Sequence, residues 1–143
     1  MNNSKRFLQL IAILHIIGGL LLPWLVQTPL ADDYVLSIMQ NFQVNESDSD
    51  QLVRFLVGIL GPTIASWGVL LLYVVNSFFH QPTMTTWWTI IIAGLIWAPY
   101  DSWLSIQHGI YLNAIFNGIV FFCIVVVMLM VRKRLMQKQG NEQ

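Results

Sequence analysis

Apolar residues run almost unbroken through four stretches of the chain, and polar residues gather between them. The stretches are Phe7–Val26, about Leu52–Phe79, about Thr85–Ile106 and about Leu112–Val131. A helix rises about 1.5 Å per residue, so each is long enough to cross a hydrocarbon core of about 30 Å. The pattern predicts four transmembrane helices. The second is longer than a span requires, which predicts tilt, a kink at Pro62, or an end that projects into the headgroups. The turns His80–Met84, with Pro82, and Gln107–Tyr111, with Gly109, are short. Short turns make the second, third and fourth helices antiparallel and sequentially adjacent.

One connection is long, residues 27–51. Asp32 and Asp33 suit a helix N-terminus, and Val35, Leu36, Ile38, Met39 and Phe42 follow at helical spacing. A short amphipathic helix is expected over Asp33–Phe42, lying on the membrane or capping the bundle. Asn45–Asp50 reads as a polar connector, and Asn45-Glu46-Ser47 matches a glycosylation sequon, a weak three-residue signal. Lys5 and Arg6 before an apolar run, with Ala31 beyond it, have the outline of a signal peptide. The run is long enough to span, and Pro29 makes a poor cleavage context, so an uncleaved first helix is expected.

Composition sharpens this picture. The 143 residues are 56% hydrophobic and 10% charged, where a soluble domain is about 45–50% apolar and about 25% charged. Mean hydropathy is +0.63 and the formal net charge is zero. A disordered chain, a nucleic-acid-binding domain and an ordinary soluble globule are excluded. The fold class is an all-α membrane protein, one domain over residues 1–143 built as a four-helix transmembrane bundle.

Charge adds orientation. Lys5, Arg6, Arg132, Lys133, Arg134 and Lys138 are six of the seven basic residues, and all lie near the two ends of the sequence. With four spans both termini face one side, and the positive-inside bias makes that side cytoplasmic. The opposite loop carries Asp32, Asp33, Glu46, Asp48 and Asp50. Trp87 and Trp88 are expected in the cytoplasmic aromatic belt, and Trp24, Trp103 and Tyr111 in the outer one. Size and the absence of eukaryotic signals suggest a bacterial inner membrane. The lipid bilayer is then the first partner, with a membrane protein or a second copy of the chain as further candidates and no nucleic acid.

Candidate chemistry centres on Asp101, the acid inside a predicted span, because intramembrane ionisable residues default to functional hypotheses. It falls near the outer end of the third helix. Arg54, at the outer end of the second helix, is its expected ion-pair partner. Asp101, Ser105 and His108 lie at i, i+4 and i+7, on one helix face. Their order and spacing do not suit a hydrolytic triad. Asn113 and Asn117, one turn apart on the fourth helix, are expected to bond between helices or to a ligand. Arg54, Asp101, Ser105, His108, Asn113 and Asn117 form the candidate polar cluster.

Other polar or small residues read as packing. Gly58, Gly61, Ala65 and Gly68 make one stripe on the second helix, for packing within the bundle or for a dimer. His15 sits near mid-membrane as an expected interhelical hydrogen-bonding residue. Three scattered histidines, one cysteine and one intramembrane acid make no zinc set and no bis-histidine haem site, so no metal or cofactor is expected. Cys123 alone cannot shuttle electrons through a Cys pair.

The length and four spans resemble those of small multidrug transporters. The acid that such proteins carry in their first helix has no counterpart here, and the resemblance stops at size. Three function classes follow. The expected one is a non-enzymatic accessory or interaction protein, because no complete catalytic set is visible. The others are a carrier or binder of a small amphiphile or ion working through Asp101, and a membrane enzyme acting on a lipid or isoprenoid.

Overall fold

Small residues decide how the first two spans meet. The computed structural model describes residues 2–43 and 47–140, so the sequon residue Asn45 lies outside the described residues. Helices α1 (Asn2–Leu25) and α3 (Ser47–His80) make the closest helix pair. A Cβ on Gly19 of α1 would lie 2.5 Å from both the Ala65 amide nitrogen and the Gly61 carbonyl oxygen. One on Gly68 would lie 2.8 Å from the Ala12 carbonyl oxygen. The ring of Pro23 fills the notch that Gly58 and Gly61 leave. The stripe Gly58, Gly61, Ala65 and Gly68 is therefore occupied by the chain's own first helix. Close approach of this kind is rewarded in lipid, where dispersion and hydrogen bonds replace the hydrophobic effect as the force between helices. A polar pair reinforces it: Gln9 Nε2 donates to Asn76 Oδ1 at 2.8 Å, and Asn76 Nδ2 donates to the Leu72 carbonyl at 2.9 Å.

Helices α4 (Met84–Gln107) and α5 (Tyr111–Gly140) form the second close pair. Thr83 caps α4, its hydroxyl accepting from the Thr86 amide at 3.1 Å. The return at the other end needs Gly109, whose φ of +71° lies in the left-handed region. The Ile110 amide then donates back to the Ser105 carbonyl at 2.8 Å and closes the turn. All four long helices are apolar enough to cross a membrane, and neighbours run antiparallel.

The two pairs meet along narrower contacts, α3 with α4 and α1 with α5. Their shared core lies at the end where the chain begins and α5 finishes, called here the terminal end. Leu8, Ile11 and Ala12 of α1, Val75 and Phe78 of α3, Trp87 and Ile91 of α4, and Met128 and Val131 of α5 pack there. Trp87 departs from its expected place in an aromatic belt. Its indole is buried, Nε1 donates to the Met128 carbonyl at 2.8 Å, and the Arg132 guanidinium lies 5.2 Å from the ring centroid. Only its neighbour Trp88 faces outward, because successive helical residues point about 100° apart.

At the opposite, loop end the chain leaves α1 through a 3₁₀ turn, Pro29–Ala31, and enters α2 (Asp32–Asn41). This is the amphipathic helix expected from the sequence, shifted by one residue. It caps the bundle. Val35 is fully buried beneath it, while Phe42 stacks on His108 with centroids 4.9 Å apart and the Asn41 amide sits against Gly109. The helix thus bridges from the α1–α3 pair to the α4–α5 turn. Ser47–Asp50, read from the sequence as connector, instead form the first turn of α3.

Candidate functional site

Two residues one turn apart on α4 face two residues one turn apart on α5. Asp101 and Ser105 stand opposite Asn113 and Asn117 because the tight turn at Gly109 sets the two helices in antiparallel register. Asn117 Nδ2 donates to Asp101 Oδ2 at 2.7 Å. Asn113 Nδ2 donates to Ser105 Oγ at 2.8 Å and reaches both carboxylate oxygens of Asp101 at 3.3 Å. Ser105 and Asn117 are buried, and Asp101 and Asn113 half-buried. Donation to an ionised carboxylate is stronger than a neutral hydrogen bond, so the pair of amides is a suitable receptor for this acid.

Tyr34 of α2 lies within electrostatic reach of Asp101. Burial first, and the negative charge of Asp101 second, raise its phenol above the ordinary 10.0. The sequence contains no spacing signal for this residue, since its approach depends on where α2 crosses the bundle. A raised phenol stays neutral at physiological pH. Its contribution to stability is complete below pH 10 and is lost as pH rises through the folded-state pKa. In a phenolate absorbance titration, the difference between the wild type and Tyr34→Phe is expected to appear above pH 10. A difference that titrates at or below 10 would remove Tyr34 from the cluster.

Arg54 is not the partner of Asp101, contrary to the expectation from charge and depth. Its Nε donates to Asp50 at 2.8 Å, one NH2 group to Asp32 at 2.8 Å, and the other to the Val26 carbonyl at 2.6 Å. Asp50 lies one turn before it on α3, and the cap returns Asp32 and the end of α1 to the same place. Two nearer acids and an orphan carbonyl outcompete one on a different helix. Arg54 ties α1, α2 and α3 together and takes no part in the Asp101 cluster.

His108 is the C-cap residue of α4, and its ring stacks on Phe42 with no hydrogen bond to Asp101. His15 differs in another way. Its Nδ1 donates to the Ile11 carbonyl at 2.7 Å within α1, so the hydrogen bond is intrahelical. Its interhelical contacts are aromatic: ring centroids stand 5.1 Å from Trp67 of α3 and 6.3 Å from Trp97 of α4, and the two indoles are 5.3 Å apart. No spacing in the sequence links these three rings, because they come from three different helices. Among the described residues no three His, Cys, Asp or Glu side chains come together as a metal-binding group.

No protein-family model matches the chain, and neither a curated protein nor a solved structure is significantly similar to it.

Proposed function

We propose that this four-span protein is a non-enzymatic accessory protein of a bacterial inner membrane that acts by binding another membrane protein. The observation that carries the reading is the commitment of Asp101 to Asn113 and Asn117 across the α4–α5 pair. That network supports a structural role for the acid: it joins two helices, and neither His15 nor His108 takes part in it. General acid–base chemistry needs a second group within hydrogen-bond reach. The basic residues near the two termini support a cytoplasmic placement for that end. Since α1 fills the glycine stripe of α3, we assign the partner to the loop-end face, where Trp24, Leu30 and Leu36 are among the exposed apolar residues.

A second reading, a carrier of a small amphiphile or ion, is favoured by the partial exposure of Asp101 and Asn113. The variant Asp101→Asn separates the two. It retains an oxygen to accept from Asn117 but removes the charge. The accessory reading expects an undiminished phenotype and an unchanged stoichiometric partner in native mass spectrometry of the gently extracted protein. A complete loss of phenotype with the bundle still folded would replace it with the carrier.

A further inference from the structure

A titratable ring joins the two helix pairs part-way along the bundle. His15 of α1, Trp67 of α3 and Trp97 of α4 are each half-buried. They pack on one another just to the loop side of the shared apolar core, which ends at Ala12, Leu71 and Ile91 on those helices. The contact of His15 with Trp97 links α1 to α4, helices that belong to different pairs. The pairs otherwise meet along the narrow contacts of α3 with α4 and of α1 with α5.

Hydrogen bonding fixes which nitrogen can titrate. A carbonyl oxygen only accepts, so the Nδ1 that lies 2.7 Å from the Ile11 carbonyl carries the proton of the neutral ring. Nε2 then holds the lone pair, and it takes no hydrogen bond from any described residue. One proton from water, bound at Nε2, leaves a single positive charge on the ring and the Ile11 bond intact. That charge has receptors on two helices. The Trp67 ring, 5.1 Å away, lies within the reach of about 6 Å over which an indole face attracts a cation. Trp97, at 6.3 Å, lies at the edge of it. Asp101 stands one turn beyond Trp97 on α4, so its carboxylate is the acid in register with the group. No other ionisable side chain lies on α1 after Arg6 or on α3 between Arg54 and Tyr73, and Tyr100 of α4 is exposed. Cys123 of α5 lies at the level of Phe7, about two turns nearer the terminal end than His15.

We propose that His15 is a proton-operated lock: a proton bound at Nε2 draws Trp67 and Trp97 onto the imidazolium and closes the α1–α3 pair on the α4–α5 pair. The lock goes beyond the accessory reading and is independent of it.

Two readouts on the full-length protein in detergent test it. A protonated imidazole quenches an indole that it touches. Trp67 and Trp97 are two of the six tryptophans, so emission is expected to fall by up to about a third between about pH 8 and pH 5, where histidine ordinarily gains its charge. His15→Phe keeps an aromatic ring without a titration and is expected to hold its emission constant. Trp97→Phe leaves the titrating ring in place and is expected to show about half of the fall, since one of its two indoles is gone. Asp101→Asn is expected to retain the fall. The second readout is closure. Cys123, the chain's single cysteine, lies between α1 and α5, where the pairs also meet. Its alkylation by N-ethylmaleimide is expected to run at the same rate in wild type and His15→Phe at pH 8. At about pH 5.5 the wild type is expected to be about threefold slower, the scale of one modest cation–π contact. Comparison at equal pH cancels the titration of the thiol itself. A fall in emission that survives in His15→Phe, or equal alkylation rates at pH 5.5, overturns the proposal. A fall that disappears in Asp101→Asn overturns it as well, because the proton then belongs to the carboxylate.

Discussion

Gly19→Ala is expected to destabilise the bundle by about 3 kcal/mol, at the upper end of the usual cost of overpacking. Its neighbour Gly18→Ala is expected to leave stability nearly unchanged. The added methyl is the same in both. At Gly19 it would meet the Ala65 amide nitrogen and the Gly61 carbonyl oxygen at 2.5 Å, and the Ala65 Cα at 3.0 Å. These are backbone atoms of α3, so no rotamer change relieves the clash, and α1 and α3 must separate along their closest contact. At Gly18 a Cβ meets nothing within 4 Å. Reversible unfolding in mixed micelles, followed by helical circular dichroism, measures both. Equal stabilities would mean that the two helices do not cross at this glycine. Separation of α1 from α3 would also draw Gln9 away from Asn76, so the cost includes a broken interhelical hydrogen bond.

Asn117→Leu is the second large effect, expected at about 1–2 kcal/mol. Interhelical hydrogen bonds in membranes average about 0.6 kcal/mol, because the unfolded chain in lipid also finds partners. Here the acceptor is a carboxylate and the donor is buried, which raises the cost toward the upper part of the range. Leucine is close to asparagine in size, so the loss reports the missing donor more than a void. After the substitution Asp101 keeps only the two 3.3 Å contacts from Asn113, which must also serve Ser105. Adding Asp101→Leu to Asn117→Leu is expected to recover part of the loss, since removing both partners of a buried hydrogen bond costs less than removing one. A double-mutant cycle gives the coupling directly. Additive single effects would show that the two side chains do not interact.

The polar cluster was legible in the sequence for a physical reason. Aspartate and asparagine in an apolar run are costly unless paired, so Asp101, Asn113 and Asn117 stand out against their surroundings. Asn113 and Asn117 were expected to bond between helices or to a ligand and Asp101 to pair with Arg54; the tight turn at Gly109 instead gives Asp101 to the two amides. Arg54 was equally conspicuous, but its partner could not be chosen by charge and depth. Several acids lay at a similar level, and the choice depended on α2 bringing Asp32 back over the end of α1. The pair Asp50–Arg54, one turn apart, was the local signal available for the correct answer.

The amino-acid sequence by itself determined the four long apolar helices, the short helix between the first two, and the small-residue stripe on α3. These depend on hydropathy and periodicity over a few turns, and a bilayer admits only helices or closed barrels across it. Only the tertiary structure decided that α1 fills the stripe, that Trp87 turns inward to the Met128 carbonyl, and that the His108 ring stacks on Phe42. Each is a choice among partners of comparable chemistry on different helices. In lipid that choice turns on close fit and hydrogen-bond reach, which a linear pattern does not contain.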